Sequence, residues 1–168
     1  MEQLFLRFSV DKLRQLESRI QHCLELLTTE QVWSRPSEEN NSIGNLVLHL
    51  SGNVGQWIIA SVQGVSSDRN RDAEFSAREG RSVDELKELL SKTVSDAVRT
   101  IETVAPERLT DVVTIQRFQV SILEAIYHAV EHFSMHTGQI LYITKSVLQQ
   151  DLGFYKHIGT PDHVDNTP

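Results

Sequence analysis

Tyr127–Lys145 reads YHAVEHFSMHTGQILYITK, and the rest of the chain is best read outward from it. His128, His132 and His136 recur at every fourth position. On an α-helix that interval advances about 400°, so successive imidazoles lie about 40° apart on one stripe and about 6 Å apart along the axis. Two imidazoles placed this way can grip one metal ion. Three cannot easily do so, because the outer pair is about 12 Å apart along the axis while a histidine nitrogen sits about 2.0–2.1 Å from zinc. A metal site here needs a further ligand from elsewhere, and the chain holds seven histidines in all.

A helical projection separates the three. With Ile122 at zero, Ile140 falls at about 0°, Phe133 at about +20°, and Ala129 and Val147 at about −20°, which centres the apolar arc. His136 lies inside it at about −40°, His132 at its edge at about −80°, and His128 beyond it at about −120°, beside Gln139 at about −100°. His132 and His136 are therefore the pair that faces the interior. No H-E-x-x-H motif is present, since Phe133, Ser134 and Met135 follow His132. The general-base glutamate of that protease motif is missing, which argues against a metalloprotease.

Upstream, three more segments carry helical periodicity. The first runs from about Glu2 to Leu27, with Leu6, Val10, Leu13, Leu16, Ile20 and Leu24 on one face. Polar residues from Thr28 to Asn41, including Pro36, predict a loop. The second helix runs from about Ser42 to Val62 on the stripe Ile43, Leu46, Val47, Leu50, Val54, Trp57 and Ile58. Gly44, Gly52 and Gly55 interrupt it at a cost of about 1 kcal/mol each against alanine, and close approach of a neighbouring helix is the simplest reason to tolerate them. Gln63–Arg81 follows as a long polar connection, a candidate mobile loop. Ser82 and Glu85 form a capping box that opens a third helix, which ends at Ala105-Pro106. Glu107–Gln119 alternates weakly and predicts an extended segment, and Ser121 with Glu124 forms a second capping box at the start of the last helix, which persists to about Gln150. The expected fold class is all-α, a four-helix bundle with long connecting loops. Residues 1–168 are taken as one domain, with 151–168 as a loosely packed polar tail.

Bulk properties narrow the function. A net charge of −7 argues against a general nucleic-acid binder. No apolar run approaches the ~20 residues of a membrane span, and the N-terminus lacks the pattern of a signal peptide, so a cytoplasmic location is expected. The single cysteine, Cys23, excludes an internal disulfide and reads as a small buried side chain.

His49 is the remaining histidine on a bundle helix with a suitable setting. With Ile43 at zero it lies at about −120°, between Asn53 at about −80° and Gln56 at about −140°, on the border of the core face. That position suits a ligand reaching a cleft between helices. His22, His157 and His163 lack such a setting, the last two being in the tail. A lone histidine on a helix is more often a hydrogen-bonded boundary residue than a ligand. The inward pair four residues apart makes the ligand reading competitive.

The stretches SIGNL (Ser42–Leu46), LHLSGN (Leu48–Asn53), WSRP (Trp33–Pro36) and HFSMHTGQI (His132–Ile140) together resemble the DinB superfamily of four-helix metalloproteins, over nearly the whole chain. The resemblance implies a left-handed bundle of up-up-down-down type with a site of three histidines, one from the second helix and two from the last. Carried over, these are His49, His132 and His136. It also implies one divalent ion per chain (zinc, nickel or iron), a homodimer, and a small-molecule substrate or low-molecular-weight thiol as partner. Characterised members include thiol-dependent S-transferases and a mycothiol-dependent isomerase, while many others, to which this chain looks closer, have no known activity. The expected function is a metal-dependent transferase or hydrolase, the alternative a non-catalytic metal-binding stress-response protein. Relatives commonly carry histidine at the position of His128. For His128, Asn53 and Gln139 a role supporting the ligands or lining a pocket is expected, and no general acid or base is identified.

Overall fold

Apolar side chains at helical spacing must bury one face of each long segment, and four long helices packed on one apolar core are the result. The structure is a computed structural model and describes residues 1–154. Helix α1 is Glu2–Glu25. Helix α3 (Ile43–Val54) continues through a π-helical turn, Gly55–Ala60, into α4 (Ser61–Gln63), and the three form the second bundle helix. The third and fourth bundle helices are α6 (Val83–Glu102) and α7 (Ile122–Leu148). Ser42, Ser82 and Ser121 start their helices in capping boxes with Asn45, Glu85 and Glu124. Each such cap satisfies amides that a helix start leaves unpaired and is worth about 1 kcal/mol.

Both α1 and the second bundle helix pack mainly against α6 and α7. Helix directions follow from side-chain contacts. Helices α1 and α6 are antiparallel, since Gln21 donates to the Lys87 carbonyl, Ser91 to Glu17, and Arg14 reaches Glu102. The second bundle helix is antiparallel to α7, with His49 against His132 and Trp57 against His128. It is parallel to α6: Trp33 covers Gly44 and donates to the Arg81 carbonyl at one end, and Gln63 meets Thr100 at the other. Helices α1 and α7 are also parallel, for Cys23 lies against Thr144 and His22 against Phe154. The directions in chain order are thus up, down, down, up, which corrects the expected up-up-down-down arrangement. The reason lies in the 64–82 connection, which is long enough to return along a second helix of about 30 Å before α6 begins.

The connections hold more structure than their composition predicts. A short helix, α2 (Thr29–Trp33), stands inside the expected loop 28–41, with its own capping box of Thr28 and Gln31. Another, α5 (Arg71–Ser76), stands inside 63–81, capped by Asn70. This segment is tied down by buried bonds and is not the free loop expected. The extended segment is a 3-10 turn, Pro106–Thr110, followed by an antiparallel hairpin of β1 (Val112–Ile115) and β2 (Phe118–Ser121). Val112 lies opposite Ser121 and Ile115 opposite Phe118. Of the expected loose tail, Leu152 is buried and Phe154 stands edge-on to His22, so its first residues pack against the bundle. The rest of the tail, with His157 and His163, lies outside the described residues. Among the described residues no helix is long and apolar enough to cross a membrane.

Candidate metal centre

Antiparallel packing of the second bundle helix on α7 brings His49, His132 and His136 together. His132 Nε2 lies 3.1 Å from His49 Nε2 and 3.2 Å from His136 Nε2. One nitrogen of each ring lies within 4.8 Å of the others. Three ligands on a tetrahedral ion with bonds of about 2.05 Å would stand about 3.3 Å apart, which the two separations at His132 match.

The outer nitrogens show which way two of the rings are set. His49 Nδ1 lies 2.9 Å from Glu74 Oε2 and 3.1 Å from Arg69 Nη2. A guanidinium only donates. Were Nδ1 bare, its lone pair would face a carboxylate oxygen. Arg69 Nη2–H has Glu74 Oε2 as its own acceptor at 2.8 Å, which leaves Nδ1–H to donate to Glu74 and the Nε2 lone pair to face the other histidines. His136 Nδ1–H donates in the same way to Gln139 Oε1 at 2.7 Å. Partners of this kind fix ring orientation and raise the basicity of a ligating imidazole.

Glu74 and Arg69 come from the connection between the second and third bundle helices, and composition gave no sign of them. Arg69 clamps the carboxylate with Nε–H to Oε1 at 2.7 Å and Nη2–H to Oε2 at 2.8 Å. Both side chains are buried. Burial pushes the Glu74 carboxyl up, but the bonds and charges of Arg69 and His49 outweigh it and hold it below the usual carboxylate range. Gly52 makes the contact possible, since a Cβ there would stand 2.0 Å from Glu74 Oε1. Gly44 likewise makes room for the Trp33 ring. Close approach is thus the reason for both glycines, although the neighbours are a short helix and a connection, not a bundle helix. Gly52, three residues after His49, was the one sequence signal that something approaches there. His49, expected on a border open to water, is covered by Glu74 and by the Phe75 ring at 4.5 Å and is 4% exposed.

The chemistry of this donor set fits a cation. With Nδ1 of His49 and His136 committed as donors, two lone pairs converge on His132 Nε2. A single proton on that atom can serve only one of them. The His132 Nδ1 atom is buried without a partner, and Asn53 Oδ1 is the other such atom among the described residues. Burial, then the charges of His136, His49, His128 and Arg69, push the His132 pKa down to about 3. Burial also lowers His136, against the bond to Gln139. Protonation therefore does not relieve the crowding, whereas one divalent ion would.

His128 lies tilted against Trp57 with ring centroids 4.0 Å apart and is not one of the converging set. Gln139 holds His136. Asn53 is buried one helical turn after His49. Cys23 is fully buried, and burial pushes its thiol pKa up against a hydrogen bond with Thr144, as befits a core side chain.

A four-helix bundle in which the second and last helices bring three histidines together is of the DinB-like class. The chain belongs to the family described as "Protein of unknown function (DUF1572)", whose model matches residues 1–161. Its fold is that of DinB-like proteins. Among solved structures it is similar to a conserved protein from Enterococcus faecalis, with a TM-score of 0.74 and 17% identity over 86% of this chain and 97% of that one. A DinB-like protein from Bacillus subtilis gives a TM-score of 0.67 and 18% identity over 88% and 96%. One from Bacillus cereus gives 0.64 and 14% over 79% and 85%. At these identities the likeness is one of fold. No curated protein matches the sequence.

Proposed function

We propose that the chain binds one divalent ion (zinc, nickel or iron) through His49, His132 and His136 and uses it to transform a small molecule, by thiol transfer or by hydrolysis. The observation that carries this reading is the convergence of three Nε2 atoms at 3.1 and 3.2 Å, with two of the rings set from behind by Glu74 and Gln139. When bound, the ion supplies Lewis-acid activation of a thiol or a water at neutral pH. Glu74 and Gln139 orient their imidazoles, and Phe75 keeps water from the back of His49. Cys23 is sequestered in the core, so the thiol in a transfer reaction must be a separate small molecule. A groove of about 920 Å³, lined by Leu46, Met135, Gln139 and Tyr142 among others, reaches the centre through Gln139, behind His136, and is of a size for such a partner.

The test is metal analysis of protein purified without a histidine tag. We expect about one ion per chain, lost in His49→Ala and His136→Ala and kept in His22→Ala. Full retention in the first two would sink the reading. One observation favours the second reading, a non-catalytic metal-binding stress-response protein. Glu74, the carboxylate at the centre, is committed on both oxygens and is not free to move a proton. Metal-dependent turnover of an electrophile with glutathione, bacillithiol or mycothiol would decide for the enzyme, and its absence across that panel for the binding protein.

A further inference from the structure

The centre is built from two bundle helices, yet its most buried ligand is held by neither α7 nor its own helix. His49 is oriented by Glu74, and Glu74 by Arg69, both from the connection between α4 and α6. Each link in this chain is specific. Gly52 leaves the gap that the carboxylate occupies. Asn45, one turn before His49, donates from Nδ2 to the Glu74 carbonyl at 2.9 Å and to the Ala77 carbonyl at 2.8 Å, which pins the far side of α5. Arg69 Nη1 donates to Gln56 Oε1 at 3.2 Å, and Gln116 of the hairpin turn donates to the same oxygen at 3.0 Å. The connection is therefore docked by polar contacts that converge on one ligand, along a helix face that glycine keeps open.

We propose that Glu74 is a positioning residue for the ion and that docking of the 64–82 connection and occupancy of the site are coupled. The proposal rests on the metal reading above. With Glu74 in place, His49 presents the Nε2 lone pair. With Glu74 withdrawn, Nδ1 and Nε2 become alternative sites for the ring proton, the ring loses its anchor, and the site loses a preset ligand. Coupling between two events is reciprocal, so whatever factor docking adds to ion affinity, the ion adds to docking. The connection thereby acts as a strap whose closure reports whether the centre is loaded.

Zinc titration of metal-free protein against a chelating dye tests the first half. Glu74→Ala is expected to weaken zinc binding about 10–100-fold, the range for outer partners of metal-bound histidines. Glu74→Gln, whose amide oxygen can still accept from Nδ1, is expected to fall between it and the wild type. Gly52→Ala is expected to weaken binding as Glu74→Ala does. The double variant is expected to be no weaker than either, because Gly52 acts through Glu74. Trypsin tests the second half, since Arg69, Arg71, Arg78 and Arg81 all lie in the connection. Zinc is expected to slow cleavage there in the wild type and to leave it unchanged in Glu74→Ala. If Glu74→Ala does not fold by circular dichroism, Glu74→Gln and Gly52→Ala carry both measurements. Wild-type affinity in the folded Glu74 variants, with zinc binding lost in His132→Ala, would overturn the strap and leave the metal site standing. A wild type that binds no zinc, nickel or iron would overturn both.

Discussion

The second and third bundle helices lie side by side, begin at the same end, and follow opposite rules. Helix α6 buries Leu86, Leu90, Val94, Ala97, Val98 and Ile101. Its buried polar residue, Thr100, returns its hydroxyl to the Asp96 carbonyl. It has a capping box, no glycine and no chemistry. The helix beside it buries Asn45, His49, Ser51 and Asn53, accepts glycine at 44, 52 and 55, and opens into a π-helical turn at Gly55–Ala60. That turn carries Trp57, against which His128 lies. Turns of this kind are concentrated at functional sites. Local rules of stability hold where only packing is at stake and are broken where side chains must meet.

The largest expected break between the two is at Leu90. Leu90→Ala should destabilise the chain by about 2–5 kcal/mol, because it opens a cavity at a fully buried position. The folded fraction should still bind its ion, as denaturant melts with metal analysis would check. His49→Ala should do the reverse, abolishing ion binding with a smaller effect on the melt of the metal-free chain.

Acid should act on the histidine face and spare α6. The folded-state pKa of His132, about 3, lies below its unfolded value of about 6.5. Between those values the unfolded chain binds a proton that the folded chain refuses. Stability from this group is therefore complete above about pH 6.5 and is lost as pH falls toward about 3. His136, also lowered by burial, adds in the same direction. Thermal melts of chelator-treated protein should fall between pH 7.5 and pH 5, and by less in His132→Leu. A flat profile in the wild type would contradict the burial of these rings.

The smallest effects separate the glycines of the second bundle helix. Gly55 has open space where a Cβ would stand, so Gly55→Ala should be neutral or stabilise by up to about 1 kcal/mol. Gly52→Ala should destabilise despite the same gain in helix propensity, because its Cβ would meet Glu74 at 2.0 Å. Melting temperatures of the two variants with opposite signs would sharpen the contrast, and equal shifts would remove it.

Much of this was legible in the chain. The four helices followed from apolar spacing and the boxes at Ser82 and Ser121, and His136, set deepest by its angle, is buried where His132 and His128 are half-buried. The short helices α2 and α5 were not legible, because helices this short bury too few apolar residues to leave a period. The helix directions came only from the resemblance, as up-up-down-down, and the contacts between helices correct them to up, down, down, up.

By itself the sequence determined that the chain is an all-α bundle and that His132 and His136 share one stripe, because residues four apart on a helix are neighbours whatever surrounds them. The sequence also singled out His49 as the third member, but only the tertiary structure showed that it meets the pair and that Glu74 and Arg69 stand behind it. Those contacts span 83 and 25 positions of chain from His49 to His132 and Glu74. They depend on which helices lie antiparallel and on how a connection returns across a glycine, and local periodicity encodes neither.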